Sequence, residues 1–165
     1  MLPETAEQFG QGPARLHGVL HRPTDRPRSR ALVMCPPFGE ERKSSARVMT
    51  LAARALARQG YFVLRFDYAG TGESDGNMSQ ASVARWLDDI VDARSHLAAR
   101  SDARSVGLLG IRFGATLAAL VPTPEAALPS LILWGPLMSE AACIEEARRH
   151  LEATRLVTAD IDGVR

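Results

Sequence analysis

The chain has 165 residues, 45% of them hydrophobic and 24% charged, with a formal net charge of +1. That length suits one domain with a sizeable core, and the composition is that of an ordinary globular protein. The near-neutral balance gives no pull towards nucleic acid or anionic lipid, the arginines are spread along the chain without forming a tail, and no apolar run approaches the length of a membrane span.

The opening stretch M-L-P-E-T-A-E-Q-F-G is acidic and lacks the apolar segment of a secretory signal. The two cysteines, Cys35 and Cys143, form neither a disulfide framework nor a metal site. A reducing cytoplasm is therefore the expected setting, and no cofactor is implied.

In chain order, the Gly-Gln-Gly-Pro turn between Phe9 and Arg22 predicts a hairpin. Pro23 to Arg30 reads as a loop. Ala31 to Cys35 is a short apolar run stopped by Pro36-Pro37, the mark of a strand covered on both faces in a parallel sheet. Ser44 to Gln59 has helical spacing, with Val48, Leu51, Ala52, Ala55 and Leu56 on one face and Gly60 as terminator. Tyr61 to Phe66 is the next strand, followed by the glycine-rich loop Asp67 to Met78. Ser79 to Ala99 predicts a helix with Val83, Trp86, Leu87, Ile90, Val91 and Leu97 inward and Asp88, Asp89 and Asp92 outward.

Val106 to Leu109 is a third buried strand, and Phe113 to Leu120 a small-residue helix. Val121 to Pro129 is a loop. Leu131 to Trp134 reads as a fourth buried strand, closed by Gly135-Pro136. Ser139 to about Val157 predicts an amphipathic helix with Ile144, Ala147 and Leu151 along one side. Strands alternating with helices at this spacing predict an α/β fold with a doubly wound, mostly parallel sheet. Residues 1–165 form one domain on this reading, and 136–165 begin a lid or connecting helix.

Three stretches carry chemistry. Gly110-Ile111-Arg112-Phe113-Gly114 lies between a strand and a helix, with glycines flanking one central residue. This is the layout of the G-x-S-x-G nucleophile elbow, but its centre is Arg112. Cys35-Pro36-Pro37-Phe38-Gly39 ends a strand. Asp67-Tyr68-Ala69-Gly70-Thr71-Gly72-Glu73-Ser74 ends another. Together, in this order, they resemble the α/β-hydrolase superfamily, in its serine-aminopeptidase-like branch. The resemblance spans roughly Arg15 to Gly135 and implies the N-terminal part of that fold. It places the backbone amides of Phe38 and Phe113 where the family's oxyanion hole is built.

Pro-Pro-Phe-Gly-Glu-Glu-Arg-Lys-Ser followed by Gly-Ile-Arg-Phe-Gly resembles, more narrowly, a hydrolase-like group associated with bacterial exosortase and exopolysaccharide loci. That group also carries arginine in the elbow. The chain departs from the catalytic family twice. Arg112 replaces the serine. The family's later acid and histidine follow strands beyond Leu131 to Trp134, whereas this sequence ends at Arg165 and its later histidine, His150, is out of place.

A guanidinium stays protonated and has no lone pair to offer, so Arg112 cannot attack a carbonyl. A structural reading pairs it with Glu40, Glu41 or Asp67, all of which follow strands at one edge of the sheet. A functional reading has Arg112, with Glu40 and Glu41 nearby, bind a ligand carboxylate or phosphate through its planar fork, assisted by the dipole of the helix from Phe113. The two coexist if ligand displaces the internal partner.

Ser74 and Asp67 read as turn and structural groups. Gly70-Thr71-Gly72 lacks the further glycine of a dinucleotide fingerprint and the lysine of a P-loop. Cys35 sits inside a strand and is no substitute nucleophile. His17, His21 and His96 read as solvated.

Two functions remain open. One is a hydrolase of ester, amide or thioester bonds, implied by the resemblance, with doubtful serine-triad chemistry. The other is a non-catalytic relative that binds an anionic ligand or partner through Arg112. The apolar strand Leu131 to Trp134 would leave an open sheet edge, through which homodimerisation is expected.

Overall fold

The computed structural model describes residues 3–12, 14–122, 129–149 and 152. Strands β1 (Glu4–Phe9), β2 (Leu16–His21), β3 (Arg30–Cys35), β4 (Phe62–Phe66), β5 (Ser105–Ile111) and β6 (Leu131–Trp134) form one sheet in the order β1-β2-β4-β3-β5-β6. β1, β2 and β4 pair antiparallel, and β4, β3, β5 and β6 run parallel. Helices α1 (Gly39–Arg58), α2 (Val83–Arg100) and α3 (Phe113–Leu120) cover the sheet. α1 packs Met49 and Ala53 on one face against Met34, Val63, Leu109 and Ile111. α2 and α3 bury Trp86, Ile90, Ala93, Leu97 and Leu117 on the other. The expected α/β architecture is the one observed, with the central parallel strands largely apolar and Arg65 the charged exception inside β4.

Several local expectations need correction. The hairpin begins earlier: β1 lies upstream of the turn and pairs Phe9 with Leu16. Its acidic sequence hid it, because Glu7 is buried and neutralised by Arg100 at 2.9 Å and Arg22 at 3.4 Å, with the His96 ring nitrogen 2.5 Å from its carboxylate. α1 begins at Gly39, where Glu40 and Glu41 occupy the first turn and complement the helix dipole. Its buried face is Met49, Ala53 and Ala57, while Val48 and Leu51 are exposed. Small residues let the helix backbone approach the sheet, so the alanines turn inward. On α2, Val83 and Val91 are likewise exposed.

Asp89 does not face outward. It is fully buried, accepting the Ala69 amide at 2.8 Å and pairing with Arg85 at 2.9 Å. His21 and His96 are not solvated either: His21 is fully buried and His96 stacks on Phe9 with ring centroids 4.5 Å apart. β6 is exposed along all four residues rather than buried. It is nevertheless the outermost described strand beside β5. The helix expected from Ser139 is present over 140–149. His150, Leu151 and most of the stretch to Val157 lie outside the described residues, and Ile144 is exposed.

Candidate functional site

The parallel strands β3 and β5 are in register at Cys35 and Gly110, so their C-terminal ends finish side by side. Each hands the chain directly to a helix: β3 to α1, whose N-cap is Phe38, and β5 to α3, whose N-cap is Arg112. First-turn N–H groups of a helix have no intrahelical acceptor. Two such helix starts, with Phe38 capping α1 and Phe113 opening α3, thus share one end of the sheet.

The turn at Arg112 is sharp, with φ 54° and ψ −120°. That left-handed φ is strained for any residue with a side chain, at a cost on the order of 1–3 kcal/mol. The flanking glycines make it possible. A Cβ on Gly110 would collide with the backbone of Ala115, and one on Gly114 with the carbonyl oxygens of Cys35 and Pro36. The geometry is that of a nucleophile elbow with arginine at its apex. Arg112 N–H donates to the Trp134 carbonyl at 2.9 Å, tying the elbow to β6. Thr116 Oγ1, one turn into α3, holds the chain after β6 through Leu137 N at 3.0 Å and Leu137 O at 2.9 Å.

Among the three candidate partners for Arg112, the structure selects Glu41. Arg112 Nε donates to Glu41 Oε1 at 3.0 Å and Oε2 at 3.2 Å, and Nη1 donates to the Gly135 carbonyl at 3.3 Å. Glu40 points elsewhere and accepts from Lys43 Nζ at 2.7 Å. Asp67 is held by Arg42, Nη2 to Oδ1 at 2.7 Å, and accepts the Glu73 amide at 3.1 Å. Arg112 and Glu41 side chains keep 40% and 29% of their exposure, so an incoming ligand can reach the pair.

Phe38 and Phe113 also meet through their rings, at 6.1 Å between centroids. Trp86 packs against both, at 5.5 Å and 5.9 Å, and its Nε1 donates to the Ala69 carbonyl at 3.1 Å. With Met78, Val83 and Cys143 these rings line a cleft of about 280 Å³ beside the elbow. The sequence reading did not find this cleft. Trp86 had the spacing of a core residue, and it is one, but its edge also serves the cleft wall. Cys143 reaches it from helical residues 140–149.

The remaining candidates are structural. Ser74 Oγ donates to the Asp67 carbonyl at 2.6 Å and accepts the His17 amide at 2.8 Å, fastening the glycine-rich loop to β2. Cys35 is fully buried, and desolvation pushes its thiol up to about 12, far from a working thiolate. No group of His, Cys, Asp or Glu among the described residues has the arrangement of a metal site.

A strand-to-helix elbow with flanking glycines, set beside the N-terminus of the helix after β3, defines the α/β-hydrolase class. Residues 27–160 match the family described as serine aminopeptidase, S33, and the chain belongs to it. A 39-residue stretch is 41% identical to the mitochondrial palmitoyl-protein thioesterase ABHD10 of Rattus norvegicus, covering 24% of this chain and 13% of that enzyme.

Among solved structures, a lidless α/β serine hydrolase from Xanthomonas campestris superposes with a TM-score of 0.59 at 26% identity, over 70% of this chain and 53% of that one. The α/β hydrolase GrgF from Penicillium sp. sh18 superposes with a TM-score of 0.72 at 21% identity, over 98% and 56%. The chain thus spans about half the length of these two hydrolases. Among the described residues, no helix is long and apolar enough to cross a membrane.

Proposed function

We propose that the elbow of this hydrolase-family protein binds an anion instead of attacking a carbonyl, with Arg112 as the anchor. The observation that carries this reading is the pairing of Arg112 with Glu41 at the apex of the turn. A permanently protonated guanidinium in the nucleophile position gives a planar fork for a carboxylate or phosphate and no electron pair for covalent catalysis. Glu41 holds the Nε side of that fork until a ligand replaces it. The start of α3 adds its dipole.

The apolar cleft of Phe38, Trp86 and Phe113 gives the ligand's body a place next to its charged end. A small molecule with an acyl or other apolar body and one anionic group fits both. A carboxylate with an apolar body is the product released by hydrolysis of an ester, amide or thioester, the reactions of the wider family.

The chain is further proposed to belong with the hydrolase-like group of exosortase and exopolysaccharide systems. The supporting observation is that the two motifs carrying that resemblance touch: Glu41 comes from Pro-Pro-Phe-Gly-Glu-Glu and Arg112 from Gly-Ile-Arg-Phe-Gly. Residues from 136 onward fit the role of a lid or connecting segment, since helical 140–149 borders the cleft through Cys143 and Ala147. A cytoplasmic setting accords with the free thiols of Cys35 and Cys143. Exposed Leu131, Ile132, Leu133 and Trp134 support self-association through β6.

The second reading is turnover of an ester or thioester, favoured by the family and by the stretch shared with a thioesterase. Assays with p-nitrophenyl butyrate and butyryl thiocholine, beside titration with inorganic phosphate, separate the two. The anion-binding reading expects saturable phosphate binding that is lost in Arg112→Ala, and no turnover above buffer. Turnover that persists through purification and disappears in Arg112→Ala would overturn it.

A further inference from the structure

We propose that the cavity between the first turns of α1 and the β2–β4 side of the sheet binds a small amphipathic carboxylate, with Arg65 as its anchor. The cavity has a volume of about 360 Å³, within the range of roughly 300–1,000 Å³ found for small-molecule pockets. Val19, Pro36, Ala46, Met49 and Phe66 give it largely apolar walls. Phe38, Glu41, Arg112 and Phe113 do not line it, so it is separate from the elbow and its cleft.

Arg65 sets the polarity of this cavity. It lies in β4 two residues after Val63, and alternation along the strand puts it on the face that α1 covers. Its Nε donates to His21 Nε2 at 3.0 Å. A nitrogen that accepts there carries no proton, so the imidazole is neutral. Burial and the adjacent guanidinium hold His21 in that form, with its pKa brought down to about 4. The nearest partner of Arg65 therefore brings no negative charge.

No carboxylate of the described residues comes within the 4.0 Å of an ion pair with Arg65. The other cations of the wall are matched: Arg42 with Asp67 and Lys43 with Glu40, each at 2.7 Å. Glu73 contributes an exposed carboxylate, and His17 an imidazole on β2.

Arg65 is thus half-buried with a neutral imidazole as its direct partner, while Glu4 and Asp67 act on its charge only from beyond ion-pair distance. One carboxylate offers two acceptors to its fork at direct ion-pair distance. The apolar walls then take a short hydrocarbon or aryl body. With Glu4 and Asp67 already acting on Arg65, a monoanion suits the site better than a phosphate dianion.

Octanoate is a suitable probe, with 1-octanol and inorganic phosphate beside it. Titrating octanoate into isotope-labelled full-length protein should shift the Arg65 Nε–H resonance and the Val19 and Met49 methyls together and saturably, while 1-octanol binds at least about tenfold more weakly. Arg65→Met should weaken octanoate binding, read at the Val19 and Met49 methyls, by a similar factor, and Arg104→Met, an exposed position outside both this cavity and the elbow cleft, should leave it unchanged. Should Arg65→Met fail to fold, Ala46→Trp, which fills the cavity from an exposed helix position, should block binding with Arg65 intact. Shifts confined to Arg112 and Phe113, equal binding of the alcohol, or no saturation would each overturn the proposal.

Discussion

Arg112 Nε donates to both carboxylate oxygens of Glu41 across 71 residues of sequence, joining the apex of one strand-to-helix turn to the first turn of the neighbouring helix. Glu41 is therefore a competitor for any anion at the elbow. Glu41→Gln should tighten phosphate binding by several-fold, because the ligand no longer displaces an internal charge. Stability should change by about 1 kcal/mol or less, as for other half-exposed pairs. Calorimetric titration and urea unfolding of the same variant check both.

The left-handed φ of Arg112 reverses the usual order of substitutions. Glycine destabilises an ordinary helix or strand position relative to alanine, but at φ 54° it relieves strain. Arg112→Gly should be more stable than Arg112→Ala by about 1 kcal/mol, read from their urea midpoints, while both lose anion binding.

Gly114 admits no side chain, since its Cβ would enter the carbonyl oxygens of Cys35 and Pro36 at the end of β3. Backbone cannot yield as a flexible side chain can. Gly114→Ala should cost about 2–3 kcal/mol or more by overpacking, measured by denaturant unfolding. An Ala115→Gly control should cost only about 1 kcal/mol.

Asp89 is a buried charge whose carboxylate orders the loop after β4 through the Ala69 amide. Burial raises its pKa, opposed first by that amide and then by Arg85. Asp89→Ala strands the Arg85 guanidinium and the amide together. A loss of about 3–5 kcal/mol is expected, seen as a large fall in the thermal midpoint.

His21 gives the fold an acid-sensitive limb. Its folded pKa is brought down to about 4, against 6.5 for an ordinary imidazole, by burial first and then by Arg65. Between these values the unfolded chain binds the proton and the folded chain does not, so stability falls as pH drops from 6.5 towards 4. The contribution is on the order of 3 kcal/mol. His21→Gln keeps an acceptor for Arg65 without titrating, and unfolding followed against pH should show a flatter acid limb.

The parts of this fold that were readable from sequence are those where one physical requirement dominates. β3, β4 and β5 are covered on both faces, so their apolar runs stand out. The elbow announces itself because two close backbone approaches demand Gly110 and Gly114. Hidden features arise where charge is buried with its partner. Asp89 and Glu7 are inside, yet carboxylates usually mark solvent. Arg85, four residues before Asp89 on α2, was the available clue. The choice between Glu40 and Glu41 as the partner of Arg112 depends on helix phase near an N-terminus. That phase was lost when α1 was expected to begin at Ser44 instead of Gly39.

Cys35 and Cys143 differ in a way that gives experiments a handle. Cys35 is sealed in the core with its thiol pushed up to about 12, whereas Cys143 borders the cleft beside Phe38 and Phe113. A maleimide fluorophore added to the native protein should attach at Cys143 alone. Its emission would then report arrivals at the cleft, so occupants can be screened on the wild-type sequence without engineering a label.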